Sequence, residues 1–222
     1  AERVERMTQK IPHWLTKQAD VNPNHIALEF VDGHSYTFAE LKQLSEIFAR
    51  KLANIGVKKG TKIAILSANS LDMVLAIHAA SFLNAVIILL NIRLTEHELR
   101  YQLEHAEAEL LITTQALLSE KALDFTPTYL FSDIHAQKEK KVALANEIAL
   151  DDAFTMMFTS GTTGKPKAVV HTYGNHWWSA LSSALNLGVH KDDKWLLVLP
   201  LFHVGGLSIL FRSVIYGMTV FF

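Results

Sequence analysis

The chain has 222 residues, 50% of them apolar, and 21 Lys and Arg against 22 Asp and Glu give a formal net charge of −1. That balance excludes a highly charged disordered chain and a basic nucleic-acid binder held by counterion release. There is no cysteine, which removes disulfides, thiolate metal sites and a cysteine nucleophile, leaves the chemistry to oxygen and nitrogen groups, and reads most simply as a cytoplasmic protein. The length accommodates one large domain or two small ones.

Residues Ala1 to Lys17 carry charges and no continuous apolar core, so no signal peptide is predicted, and AERVER before Met7 reads as an upstream extension. Ile26 to Phe30 and Ser35 to Thr37 flank Asp32-Gly33, a pair suited to a hairpin turn. Thr37 and Glu40 stand at capping-box spacing; Phe38, Leu41, Leu44, Ile47, Phe48 and Leu52 then recur at helical intervals up to Gly56. Lys62 to Leu66 is a predicted strand. From Met73 to Leu90 the chain runs for eighteen residues without a charge, near the lower limit for a spanning helix. Its character changes at Asn84, from alanine-rich to β-branched, which predicts a buried helix from about Leu71, capped by Ser70, and then a buried strand Ala85 to Leu90.

A second capping box at Thr95 and Glu98 opens a helix to about Ala106, and Leu110 to Thr113 and Tyr129 to Phe131 are predicted strands. Helices between short apolar strands predict a layered α/β fold with a mostly parallel sheet. The run Gln137 to Lys141 reads as a solvated excursion. A helix is predicted from about Asn175 to Leu187, ending at Gly188, with Trp177, Ala180, Leu181, Ala184 and Leu185 on its packed face; Trp177 and Trp178 read as core or pocket wall. His171 and His176 lack the partners of a metal cluster, and no metal site is expected.

The most informative segment is Met156 to Lys167, MMFTSGTTGKPK. Hydroxyls and glycine-exposed N–H groups suit phosphate oxygens, and two lysines add positive charge. The segment is not a Walker A loop, because two residues separate Gly161 from Gly164 and Pro166 stands where that motif has Ser or Thr. Apolar runs from Phe154 to Phe158 and from Ala168 to His171 predict strand, loop, strand. Composition alone leaves a phosphate cradle and a flexible hairpin equally open.

TSGTTGKPK resembles the phosphate-binding signature of the AMP-forming acyl-CoA synthetase and adenylate-forming superfamily. YTFAEL (Tyr36 to Leu41), LNAVIILLNIRLT (Leu83 to Thr95) and PLFHVGGL (Pro200 to Leu207) resemble further landmarks of that superfamily, in its order. Within it, NIRLT, the stretch Tyr173 to Gly188 and the segment Leu199 to Val220 are most similar to the ligases that act on 2-succinylbenzoate in menaquinone biosynthesis.

The resemblance implies a two-step reaction: a carboxylate attacks the α-phosphate of ATP, and the CoA thiol then displaces AMP. It implies that Thr159, Ser160, Gly161, Thr162, Thr163, Gly164 and Lys167, assisted by Lys165, hold the β- and γ-phosphates, with Mg2+ carried mainly by ATP. The family often has Gly where this chain has Ala168, a change that removes no phosphate donor. His203, with Gly205 and Gly206 beside it, is implied to line the acyl pocket and the CoA entrance, although a lone histidine in an apolar segment more often simply packs. Arg212 fits either a surface salt bridge or the second carboxylate of a dicarboxylic substrate.

The expected partners are therefore small molecules (2-succinylbenzoate, ATP and CoA), with neither nucleic acid nor an integral membrane segment. The family's later adenine- and ribose-binding segments and its catalytic Lys do not occur in these 222 residues. The expectation is thus a partial N-terminal adenylation domain, inactive by itself, whose last strand, Met218 to Phe222, leaves an exposed edge. The alternatives are an acyl-CoA synthetase for another aryl or fatty acid, or a non-catalytic nucleotide-binding fragment.

Overall fold

The computed structural model describes residues 8–159, 166–190 and 192–222. The chain opens with β1 (Lys10–Pro12) and α1 (Trp14–Val21). The hairpin of β2 (Ile26–Glu29) and β3 (Ser35–Thr37) follows, turning at Gly33 with φ 91°, where the Asp32 carboxylate accepts from the His34 N–H at 3.0 Å. Then α2 (Phe38–Asn54), β4 (Lys62–Leu66), α3 (Leu71–Phe82), β5 (Val86–Leu90), α4 (Glu96–His105) and β6 (Leu110–Thr113) alternate as expected. Both predicted capping boxes form: the Thr37 and Thr95 hydroxyls accept from the Glu40 and Glu98 N–H groups, and each glutamate accepts in return. Those hydrogen bonds hold the carboxyls of Glu40 and Glu98 below their ordinary range.

The eighteen-residue apolar run resolves into α3 and β5, and no helix among the described residues is long and apolar enough to cross a membrane. Every residue of α3 from Met73 onward is buried.

Beyond β6 lie α5 (Gln115–Lys121), β7 (Thr128–Leu130), α6 (Phe131–Ala136), β8 (Glu147–Ala149), β9 (Ala153–Thr159), β10 (Lys167–Thr172), α7 (Tyr173–Leu187), β11 (Lys194–Leu196), α8 (Val204–Arg212), a π-helical turn at Ser213–Gly217, and β12 (Thr219–Phe221). Phe131 does not extend the strand before it. The Asp133 carboxylate accepts from the Leu130 N–H at 2.8 Å and starts α6 there.

The main sheet has the order β10-β9-β5-β4-β6-β7; its strands run parallel except β10, which is antiparallel to β9. Side chains of β4 and β5 alternate between two cores, as the period of a strand requires. Ile63, Ile65, Ile87 and Leu89 join α2 and α3 on one face, whereas Ala64, Leu66, Ile88 and Leu90 meet Leu99 and Leu103 of α4 on the other. Both faces being covered explains the continuous VIILL of β5.

A four-stranded sheet, β11-β12-β2-β3, lies alongside, and β1 pairs with β8. The final strand therefore does not form an exposed edge. β12 is parallel to β11 on one side and to β2 on the other, and Val220 is fully buried opposite Leu28. Its edge is closed by the N-terminal hairpin, a pairing between segments too distant in sequence for local pattern to reveal.

Buried histidines tie the N-terminal helix to this core. The Ser81 hydroxyl donates to the His78 carbonyl at 2.6 Å, so its oxygen accepts from His13 Nε2 at 2.8 Å. His13 Nδ1 is then left as an acceptor and caps α1 through the Thr16 N–H at 3.4 Å. Burial first, then the neighbouring His78 and Lys42 charges, pushes His13 down to about 3, and burial pushes His78 down to about 4.

Candidate active site

In a parallel sheet, ligands sit beyond the carboxyl ends of the strands. Here β5 ends before Asn91, and β9, parallel to it, ends at Thr159. β9 and β10, the two strands expected on either side of the motif, pair antiparallel and place Thr159 directly opposite Lys167. Ser160, Gly161, Thr162, Thr163, Gly164 and Lys165 lie outside the described residues. Lys167 is exposed and makes no ion pair with a described residue, so its ammonium is available to an anion beyond Thr159.

A cavity of about 310 Å³ joins this hairpin base to the PLFH segment, with Asn91, Gln102, Thr159, Pro166, Phe202 and His203 on its wall. Thr159 and His203, 44 positions apart in sequence, are thus brought to one site. His203 is exposed and occupies the N-cap of α8, its own N–H donating to the Pro200 carbonyl at 3.1 Å.

The turn before it is clamped by a residue that no sequence pattern singles out. Asn69, just after β4, accepts from the Leu201 N–H at 2.8 Å and donates to the Leu199 carbonyl at 3.0 Å. Gly205 and Gly206 serve close packing within the chain. A Cβ on Gly206 would stand 2.3 Å from the Pro200 carbonyl oxygen, and one on Gly205 would stand 3.0 Å from Leu199 Cδ1.

A second cavity, of about 120 Å³, lies between β10, α7 and α8. Val204, Ser208 and Arg212 line it from α8 at helical spacing, facing His171, His176 and Ser179. Arg212 is on no surface salt bridge among the described residues; its Nε is buried without a partner, and its guanidinium stands 5.3 Å from the Trp195 ring centroid. His171 Nδ1 is likewise buried and unpartnered. His176 Nε2 meets the Thr155 hydroxyl at 2.9 Å, and burial, then the nearby His171, pushes it down to about 3. Burial also lowers His171. The cavity therefore presents one permanent cation beside neutral imidazoles.

Helix α7 starts two residues earlier than its sequence suggests, because Thr172 and Asn175 form the capping box. Its buried face is Tyr173, Gly174, His176 and Ala180, with Trp177 half-buried. Leu185 is 88% exposed and so lies off the packed face expected for it, and Trp178, 56% exposed, is not part of the core. The apolar stripe continues past the point where α7 has anything described to pack on.

The chain is 50% identical over 218 residues to the 2-succinylbenzoate–CoA ligase of Oceanobacillus iheyensis, an alignment covering 97% of this chain and 45% of that relative. It thus spans less than half that relative's length. The fold superposes with a TM-score of 0.91 on O-succinylbenzoate coenzyme A synthetase from Bacillus subtilis in complex with ATP and magnesium ion, at 41% identity over 96% of this chain and 57% of that one. A fatty acyl CoA synthetase from Mycobacterium tuberculosis gives a TM-score of 0.83 at 26% identity, over 94% of this chain and 43% of that one. The AMP-binding enzyme family matches residues 15–222, which includes the β9–β10 hairpin, the PLFH segment and both cavities: the chain belongs to that family.

Proposed function

We propose that this chain is the N-terminal portion of the large domain of an ATP-dependent ligase. That ligase activates 2-succinylbenzoate as the acyl-adenylate, releasing pyrophosphate, and transfers the acyl group to CoA, releasing AMP. The observation that carries the substrate class is Arg212: a cation with a buried, unpartnered Nε on the wall of an otherwise neutral cavity. Such a group is costly unless an anion meets it. A dicarboxylic acid supplies one carboxylate for activation and a second for the guanidinium, whereas a fatty acid has none to spare. Val204 and Arg212 place this cavity on the helix that starts at His203, beside the hairpin base. The similarity to 2-succinylbenzoate ligases agrees with this reading.

MgATP fits the residues present. An exposed Lys167 stands opposite Thr159 at the carboxyl end of the sheet, in no ion pair with a described residue. In this reading Thr159, Ser160, Gly161, Thr162, Thr163, Gly164, Lys165 and Lys167 hold the β- and γ-phosphates, and Mg2+ rides on ATP. Carboxylate activation needs charge neutralised and reactants aligned, which such donors supply without a protein nucleophile. His203, with Gly205 and Gly206 behind it, stands where the activated acyl group meets the CoA thiol. The remainder of the ligase completes the nucleotide site, and the cysteine-free chain suits the cytoplasm.

The test is pyrophosphate exchange, in the protein that carries this chain, over a panel of 2-succinylbenzoate, benzoates and fatty acids. 2-Succinylbenzoate should be preferred, and Arg212→Gln should raise its KM by roughly 10- to 100-fold, the effect of losing a charge-assisted hydrogen bond. Benzoate, lacking the second carboxylate, should be insensitive to the change. A preference for fatty acids, or an Arg212→Gln variant that treats 2-succinylbenzoate normally, would overturn the assignment.

A further inference from the structure

We propose that Tyr101 of α4 is a positioning residue for ATP binding, acting through Pro166 on Lys167. The inference rests on the phosphate-binding reading of the β9–β10 hairpin. Antiparallel pairing fixes the distance between Thr159 and Lys167, but β9 is paired with β5 only as far as Met157, so the last two residues of β9 and the start of β10 reach beyond that support. Pro166 precedes β10 and has no N–H to contribute; its carbonyl accepts from the Tyr101 hydroxyl at 3.3 Å. The Tyr101 ring stacks on His105 at 5.4 Å with an interplanar angle of 10°, and His105 lies 6.3 Å from Phe158, the residue before Thr159. One face of α4 thereby touches the hairpin on both sides of its base.

The helix is itself held firmly enough to act as a reference. Leu99 and Leu103 are fully buried, and the Thr95–Glu98 capping box fixes the first turn. Asn91 accepts from the Arg93 N–H at 2.9 Å and so shapes the entry to α4, while Arg100 pairs with Glu96 and donates to the Asp124 carbonyl at 3.1 Å. A hydroxyl carried on such an element selects one orientation of Pro166 and of the lysine after it. The cost of ordering that lysine around a phosphate is then met before the nucleotide arrives.

The test compares wild type, Tyr101→Phe and Lys167→Ala in the protein that carries this chain. MgATP binding without carboxylate is measured by calorimetry, alongside the KM values for MgATP and for 2-succinylbenzoate in pyrophosphate exchange. Tyr101→Phe keeps the stacked ring and removes only the hydroxyl. It should weaken MgATP binding and raise the MgATP KM about three- to tenfold, with kcat, the carboxylate KM and Tm held. Tyr101→Ala, which also removes the stack on His105, should exceed it. If Lys167→Ala loses MgATP affinity while Tyr101→Phe does not, the positioning role is refuted and the phosphate reading stands. If neither changes MgATP affinity, both fall; and if Tyr101→Phe lowers Tm and raises both KM values together, the residue is merely structural and the proposal fails.

Discussion

Lowering the pH from 7 to 5 should cost this fold a large part of its stability. His13, His78 and His176 are 1%, 3% and 6% exposed, and their values are pushed to about 3, 4 and 3 from 6.5. A histidine depressed on folding binds its proton only after unfolding, so its stabilising contribution is complete above the unfolded value and is lost as pH falls from about 6.5 toward 3. At pH 5 the unfolded chain is nearly fully protonated at each position and the folded chain is not. This amounts to about 2 kcal/mol per histidine, or roughly 6 kcal/mol for the three, comparable with the whole stability of an ordinary domain. The carboxylates lowered on folding, Glu40 and Glu98 among them, lose their contribution only as pH falls below about 4.5, so the interval from pH 7 to 5 isolates the imidazoles. Urea denaturation at pH 7, 6 and 5, followed by the emission of the four tryptophans, reads the loss; the Trp14 ring, packed edge-on to Phe154 and Tyr173, reports on the core. His176→Gln, whose carboxamide can still meet the Thr155 hydroxyl, should remove about a third of the pH dependence. An unfolding free energy flat between pH 7 and 5 would show that these rings are not buried as neutral acceptors and donors.

Gly206→Ala should destabilise by about 1–3 kcal/mol through overpacking against backbone, measured by urea denaturation. Gly205→Ala should be milder, because only the end of the Leu199 side chain is in the way. Thr95→Ala should cost about 1 kcal/mol as a lost N-cap, seen in the denaturation midpoint at pH 7.

Local chemistry made much of the fold legible. The starts of α2 and α4 follow from Thr-x-x-Glu because both hydrogen bonds close within four residues. Pattern alone puts the start of α7 two residues late because its box uses Asn175 in place of Glu, and it does not reveal α1 because histidine is an unusual cap. Phe131 belonged as well to a strand as to a helix until Asp133 decided it. The TSGTTGKPK motif is legible in the sequence, and the two strands that flank it follow from the apolar runs on either side. Asn69 and Tyr101 were invisible, since each works through a backbone carbonyl 65 or more residues away. Arg212 has two readings in the sequence, and what the structure adds is that it makes no salt bridge with a described residue and lines a cavity between β10, α7 and α8.

The sheet that holds β12 between β11 and β2 sets a timetable for synthesis. The Thr219 hydroxyl donates to the Ile26 carbonyl at 2.7 Å across 193 positions of sequence, and the Phe222 N–H reaches the Glu29 carbonyl at 2.8 Å. On a ribosome adding about 5–20 residues per second, the β2–β3 hairpin waits on the order of 10–40 s for that neighbour, with one side of β2 unpaired. An unpaired strand is a template for other chains, so nascent chains of this protein should lean on a holdase during that interval more than their helical segments alone would require.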